Sequence, residues 1–285
     1  MICPPDIMQY GKMMIKNFEI TSLKNEKIKK IIKLKNKNKR DKYSLFLIEG
    51  YRELLRAYKS NVKIDSLYVC ESLFLKDNEN ALIEKINNQK TPIYNCLENV
   101  FRKISYRDRP DGLLAIAKQF KQDLKNLEKI IDSKKDPLII ICEAIEKPGN
   151  LGTILRTADA TKVDAVIVVD PLTDIFNPNV VRASIGALFS VPIFVSESEK
   201  IISFLKKKNI NILSATPKAK INYSDVNLKK GVAIAFGTEQ LGLTDIWFKN
   251  SSLVKIPMFG DMDSLNVAQS TTILLYEAIR QRKLS

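Results

Sequence analysis

Short apolar runs alternate with amphipathic segments along most of the chain. Between residues 44 and 120, SLFLIEG, IDSLYVCES, TPIYN and DGLLAIAKQF are apolar runs bounded by turn residues, and they read as strands. YRELLRAYKS, NENALIEKINNQ and LENVFRKISY lie between them with apolar residues at helical spacing. This order predicts a small layered α/β domain. A second alternation begins at PLIIICEA. Strands are expected there and at AVIVVD, PIFVS, NILSA, GVAIAFG and SLVKIPM. Helices are expected at LGTILRTADATK, NVVRASIGALF, EKIISFLKKKN, LTDIWFKN and LNVAQSTTILLYEAIRQR. These strands are apolar throughout, as in a mostly parallel sheet with helices on both faces.

Three segments fall outside the alternation. MICPPDIMQYGKM has two prolines and no periodicity, so residues 1–23 read as a leader, with Met13 and Met14 as alternative starts. EKIKKIIKLKNKNKRDKYS places Ile28, Ile31, Ile32 and Leu34 at helical spacing and predicts one cationic amphipathic helix ending in a charged loop. KQDLKNLEKIIDSKKD, residues 121–136, is charged and weakly helical and reads as a linker. The expected division is a domain at 24–120, the linker, and a second domain at 137–285.

Composition narrows the chemistry. A chain of 285 residues with 45% hydrophobic positions can fill two cores. Its net charge of +14 fits either a polyanionic partner or a genome that writes lysine at solvated positions. The chain has no histidine, which excludes Ser-His-Asp triads, Cys-His dyads and imidazole metal ligands. Cys3, Cys70, Cys96 and Cys142 form no CxxC pair, so no metal or redox motif is expected. Cys142, inside PLIIICEA, reads as a small buried hydrophobe. No run is long enough for a membrane span and no signal-peptide pattern opens the chain, so a cytoplasmic location is expected.

Three polar clusters each follow a predicted strand, where open α/β sheets bind ligands. In EKPGNLGTILRTADA, Asn150 can cap the next helix, Gly152 permits close backbone approach, and Arg156 lies on that helix. Asn150 is equally a plain cap and Arg156 a plain surface charge. In AIAFGTEQLGL a strand ends in Gly-Thr-Glu and Gly242 closes the loop; it is neither a P-loop nor a GxGxxG fingerprint. In IPMFGDMDSLNVAQSTTILLYE, Pro257 and Gly260 bend the chain, Ser264 can cap the last helix, and Asn266 falls in its first turn. That helix has an apolar face broad enough for the sheet and a partner subunit.

Together PGNLGTILRTA, IAFGTEQLGL and IPMFGDMDSLNVAQSTTILLYE resemble the three motifs of the SpoU (TrmH-like) RNA ribose 2′-O-methyltransferases of the SPOUT superfamily, in the family's order and near its spacing. KNKNKRDKYSLFLIEGYRELLRA resembles the L30e-like substrate-binding domain that often precedes the catalytic one. The resemblance implies a C-terminal trefoil knot, homodimerisation through the C-terminal domain, and S-adenosylmethionine as cofactor. It places the cofactor against Gly237, Ile256 and Leu265, with Thr216 as a less distinctive match. It gathers Arg156, Asn150, Glu239, Ser264 and Asn266 around a ribose 2′-hydroxyl. The expected substrate is RNA, with large-subunit (23S) ribosomal RNA ahead of transfer RNA. A resistance-conferring ribosomal RNA methyltransferase and a non-catalytic RNA-binding protein are the alternatives. Lys35, Lys37, Lys39, Arg40 and Arg52 are the expected phosphate contacts. Arg156 is expected to act charged, because deprotonating a guanidinium near neutral pH costs about 9 kcal/mol. The family precedent of an arginine base is the alternative.

Overall fold

The computed structural model describes residues 18–238 and 240–283. Its first sheet contains β1 (Phe18–Ile20), β2 (Leu45–Glu49), β3 (Ile64–Val69), β4 (Ile93–Cys96) and β5 (Leu113–Lys118), in the order β1-β4-β3-β5-β2. β1, β4 and β3 are parallel, and β5 runs antiparallel to β3 and β2. The helices of this half are α1 (Glu26–Leu34), α2 (Lys37–Tyr43), α3 (Tyr51–Lys59), α4 (Glu79–Asn87) and α5 (Glu98–Ile104).

The second sheet has seven strands, all parallel: β6 (Leu138–Glu143), β7 (Ala165–Val169), β8 (Ile193–Ser196), β9 (Asn211–Ala215), β10 (Ile221–Asn222), β11 (Val232–Phe236) and β12 (Ser252–Lys255). Their order is β10-β12-β9-β11-β6-β7-β8. The helices are α6 (Leu124–Asp132), α7 (Pro148–Thr161), α8 (Pro178–Ala183), α9 (Ser198–Lys207), α10 (Asp245–Asn250) and α11 (Val267–Lys283). Alternate residues of each central strand face opposite layers. Ile140, Cys142, Val166, Val168, Ile234 and Phe236 pack with α7, α8 and α11; Ile139, Ile141, Ile167, Val169, Ala233 and Ala235 pack with α6, α9 and α10. Double burial is the reason these strands are apolar at every position. Cys142 is fully enclosed, and burial pushes its thiol up to about 12, so it behaves as a hydrophobe.

Four expectations change. The basic segment is two helices, because Asn36 breaks it: its side chain accepts from the Asn38 N–H at 2.9 Å and starts α2. Arg40 is not a phosphate contact. It is 2% exposed, donates to the carbonyls of Leu34 and Lys35 at 3.0 and 2.9 Å, and is ion-paired with Asp174. Residues 121–136 are no free linker, since α6 buries Leu127 and Ile131 in the outer layer of the second sheet. The expected leader contains β1, which extends the first sheet alongside β4; Met13 and Met14 lie outside the described residues.

The two halves share one apolar core, which runs from Phe46 and Ile48 of β2 to Phe176, Val180 and Leu188. At the seam, Phe46 lies 4.7 Å and Phe120 5.1 Å, ring centre to ring centre, from Phe176. The Arg40–Asp174 pair and a 2.8 Å bond from the Arg56 guanidinium to the Ile185 carbonyl cross the same seam. Removing one partner of a buried pair strands the other charge. Asp174→Ala should therefore lower stability by about 3–5 kcal/mol, read from urea unfolding, and the joint replacement Arg40→Met with Asp174→Leu should recover most of the loss. Equal midpoints for wild type and Asp174→Ala would remove this pair from any account of how the halves hold together.

Candidate active site

Three neighbouring strands, β12, β9 and β11, end on the same side of the sheet, and the chain turns sharply after each. Thr216 follows β9, Gly237 follows β11, and Ile256 follows β12. Leu265 comes in from the segment before α11. All four expected cofactor residues line one cavity of about 370 Å³. Phe236, Phe248 and Met258 add apolar wall, and Lys218, Gln240 and Asp263 add polar groups. Gly237, Ile256 and Leu265 lie just outside the strands and the last helix, so their backbone groups stand clear of the ladders.

The loop after β11 is a strap. Thr238 and Gly242 exchange N–H···O bonds of 3.1 Å each, and Gly242 takes φ +73°. A side chain at Gly237 would put its Cβ 2.2 Å from the Gly242 carbonyl carbon and oxygen, so the tight strap needs glycine there. The far end of the strap is pinned by Glu143, the last residue of β6 and only 3% exposed. Its carboxyl accepts from the Thr244 N–H at 2.9 Å and from the Thr244 hydroxyl at 2.5 Å. The sequence reading passed over Glu143, since it ends the apolar run PLIIICE. A lone carboxylate ending a doubly buried strand was the available signal.

Next to the cavity, α7 and α11 pack along each other. Asn266 Nδ2 donates to Asn150 Oδ1 at 3.2 Å, and the hydroxyls of Thr157 and Thr272 are 3.0 Å apart. The caps differ from expectation. α7 begins at Pro148, which leaves Asn150 inside its first turn and turned to the other helix. Asn266, not Ser264, caps α11, accepting from the Ala268 N–H at 2.9 Å. Ser264 lines the cavity of about 370 Å³. Arg156 is exposed on α7, is no part of the cavity wall, and has no hydrogen-bond or ion-pair partner among the described residues. Glu239 lies outside the described residues. The structure thus joins Asn150 to Asn266, and Ser264 to Thr216, Gly237, Ile256 and Leu265 at one cavity, while Arg156 stands on the surface of the same helix as Asn150.

The expected RNA contacts divide. Lys37 and Lys39 are exposed, Lys37 being paired with Asp41 at 2.8 Å. Arg52 is exposed at a separate cavity. Lys35 is half-buried, donates to the Ser105 carbonyl at 2.9 Å and lies over the Tyr106 ring; burial holds its ammonium below the usual lysine range. Lys35 anchors a loop, while the other two lysines remain open to a ligand.

Comparison with known proteins agrees with this geometry. Residues 137–276 match the SpoU rRNA Methylase family and residues 25–115 the MRM3-like substrate binding domain. The 23S rRNA (guanosine(2553)-2′-O)-methyltransferase RlmP of Bacillus subtilis is 27% identical over 90% of this chain and 98% of its own length. The 23S rRNA (guanosine-2′-O-)-methyltransferase RlmB of Vibrio vulnificus is 30% identical over 75% of this chain and 90% of its own. The AdoMet-bound rRNA methyltransferase of Sinorhizobium meliloti superimposes with a TM-score of 0.82 at 29% identity, over 93% of this chain and 98% of that one. The chain belongs to the SpoU rRNA methylase family.

Proposed function

We propose that this protein transfers a methyl group from S-adenosylmethionine to a ribose 2′-hydroxyl of large-subunit ribosomal RNA. The observation that carries this reading is the convergence of Thr216, Gly237, Ile256 and Leu265 on one cavity beside the Asn150–Asn266 contact. The cavity suits the cofactor: its volume is that of a small-molecule site, its walls mix apolar and polar groups, and Lys218 and Asp263 offer both charges to an amino-acid tail. When bound, S-adenosylmethionine supplies a methyl group already activated on a sulfonium. The chain's own work is then positioning. Asn150 and Asn266 fix one another across the helix contact and offer polar groups to a ribose. Ser264 stands at the cavity wall, where its hydroxyl can take up or relay the proton of the 2′-hydroxyl. Arg156, charged and open to solvent, is suited to a phosphate or to the oxygen as it becomes negative.

The same reading extends to assembly and place. The strand order β10-β12-β9-β11, with the segment after β12 leading into a helix packed on α7, supports the threaded C-terminus of the family. Exposed Tyr276 on α11, with Leu241, Phe259 and Met262 at 86%, 95% and 72% exposure, supports a dimer through this domain. The proposed division into two domains keeps one sheet in each, with β1 added to the first and α6 to the second, and a cytoplasmic site of action follows the ribosomal substrate. Among the described residues no helix is long and apolar enough to cross a membrane.

The direct test is methylation of protein-free large-subunit ribosomal RNA by the purified protein and labelled S-adenosylmethionine, with the 2′-O-methyl position mapped by partial alkaline cleavage. Cofactor binding without any transfer to RNA would overturn the reading. Gly237→Ala drives a Cβ into the strap and should weaken S-adenosylmethionine at least about tenfold by calorimetry, about 1.4 kcal/mol, with the circular dichroism unchanged. Arg156→Ala should keep cofactor affinity and lower kcat by about a hundredfold or more. Arg156→Lys should recover part of that rate if charge is what matters, and should move the pH profile downward if the group is a base. Light scattering should give twice the chain mass at micromolar concentration; an active monomer would end the dimer assignment.

A further inference from the structure

A cavity of about 690 Å³, larger than the cofactor cavity and sharing no lining residue with it, lies at the seam between the two halves. Three elements of the first half and one of the second build it: the start of α3, the loop into α4, the loop between α5 and β5, and the end of α8. Its charges are sorted by depth. Glu53, Glu79 and Asp111 are buried at 4%, 2% and 6% exposure and hold the walls. Glu53 pairs with Arg107 at 2.7 Å, Asp111 accepts from the Tyr51 N–H at 2.9 Å, and Glu79 accepts from the N–H groups of Leu75 and Lys76 at 3.2 Å each. The exposed lining charges are Arg52, Lys76, Arg109 and Arg182 against a single carboxylate, Asp108. Leu75, 75% exposed, adds an apolar face, and half-buried Tyr51 adds an aromatic one.

Two further facts point to a polar ligand that bridges the halves. Arg107 Nε, Asp111 Oδ1 and Glu79 Oε2 are buried without a hydrogen-bond partner among the described residues, and all three residues line this cavity. Arg182 is rigidly coupled to the acceptor side of the active site. Its neighbour Ala183 meets α7 at Gly152, where an added Cβ would lie 2.4 Å from the Ala183 Cβ, and Gly152 is two residues beyond Asn150. The offset between cavity and acceptor group is therefore set by helices in backbone contact.

We infer that the seam cavity is an RNA subsite distinct from the methyl-acceptor position. It takes a nucleotide elsewhere on the substrate strand, with phosphates against Arg52, Arg109 and Arg182 and the base against Leu75 and Tyr51. This rests on the reading of the protein as an RNA enzyme and adds where the strand is held. Arg182 belongs to the catalytic half, so both halves grip the strand and the catalytic centre reads its distance from that grip.

The test uses the full chain carrying Arg52→Ala with Arg182→Ala, and a control pair, Lys200→Ala with Lys207→Ala on α9. Binding to protein-free large-subunit ribosomal RNA is measured across a salt series, and uridine monophosphate is the competitor. The seam pair should weaken RNA at least about tenfold and reduce the log–log salt slope by about 0.7 to 0.9 per lost contact. The control pair should leave both near wild type, and cofactor affinity and unfolding midpoint should stay unchanged in both variants. Wild-type affinity and slope in the seam pair would overturn the inference, as would an equal loss in the control pair, which would mean diffuse attraction. Uridine monophosphate binding that depends on Arg52 and Arg182 while RNA affinity does not would make this a free-nucleotide site and also overturn it. Absence of methyl transfer by the wild type bears on the proposed function alone, because the binding slopes are read without turnover.

Discussion

The cavity at the ends of β9, β11 and β12 depends on a carboxylate buried where the sheet ends. β6 and β11 pair with Cys142 level with Phe236, so the next residues, Glu143 and Gly237, stand beside each other at the edge of the ladder. The chain leaves at Gly237, loops out, and must return to the same edge to enter α10. A carboxylate at 3% exposure needs donors, and Thr244 supplies two. Bonds to a charged group contribute about 1.5–3 kcal/mol each, and far more is lost if the group stays buried without them. The β6–β11 ladder holds the near end of the strap and Glu143 fixes the far end. Once the ends are fixed, the glycines follow: Gly237 has no room for a side chain, and Gly242 must take positive φ.

A second constraint connects the strap to the rest of the molecule. α7 meets α11 through the Thr157–Thr272 and Asn150–Asn266 contacts, and it meets α8 at Gly152. It thus touches the helix that closes the cofactor cavity and the helix that reaches the seam. α8 in turn leans on β2 of the first half, and the turn after α8 leans on α3, where Gly186, at φ +82°, leaves room for the Arg56 side chain. Packed cores transmit position because they have little free volume. The first half is therefore placed at a definite offset from the Asn150–Asn266 contact and the cavity beside it. The Arg40–Asp174 pair and the phenylalanine cluster are what that placement costs in burial and gains in packing.

Most of the second half was legible because double burial writes itself as unbroken apolar runs, and the polar clusters at strand ends stand out against them. Thr216, Gly237, Ile256 and Leu265, far apart in sequence and singled out by the family resemblance, line one cavity. The errors have a common origin in side chains whose partners are distant in sequence. Arg40 sits in a run of basic residues, and nothing local marks it as the one that pairs with Asp174, 134 positions away. Glu143 looks like the end of a strand until Thr244, 101 residues on, is brought to it. α6 shows a charged face and a thin apolar stripe, and only the sheet beneath reveals that Leu127 and Ile131 are core. The caps failed more locally: Pro148 takes the first helical position and starts α7 two residues before Asn150.

The absence of histidine is easiest to understand from the same geometry. A base near neutral pH usually needs imidazole or a carboxylate lifted by burial. Among the described residues beside the cavity, the polar side chains include Asn150, Asn266 and Ser264, and the carboxylate of Asp263 is exposed. Amides hold a geometry and accept no proton. A guanidinium surrounded by water keeps its charge. Arg156 is exposed and has no hydrogen-bond or ion-pair partner among the described residues, which leaves its donors open to an incoming polyanion. On the reading proposed above, such an arrangement would stabilise a developing negative oxygen by fixed charge and orientation, with solvent or Ser264 carrying the proton. That division suits a methyl donor that needs little further activation, and it asks of the protein mainly that the RNA strand arrive in one register.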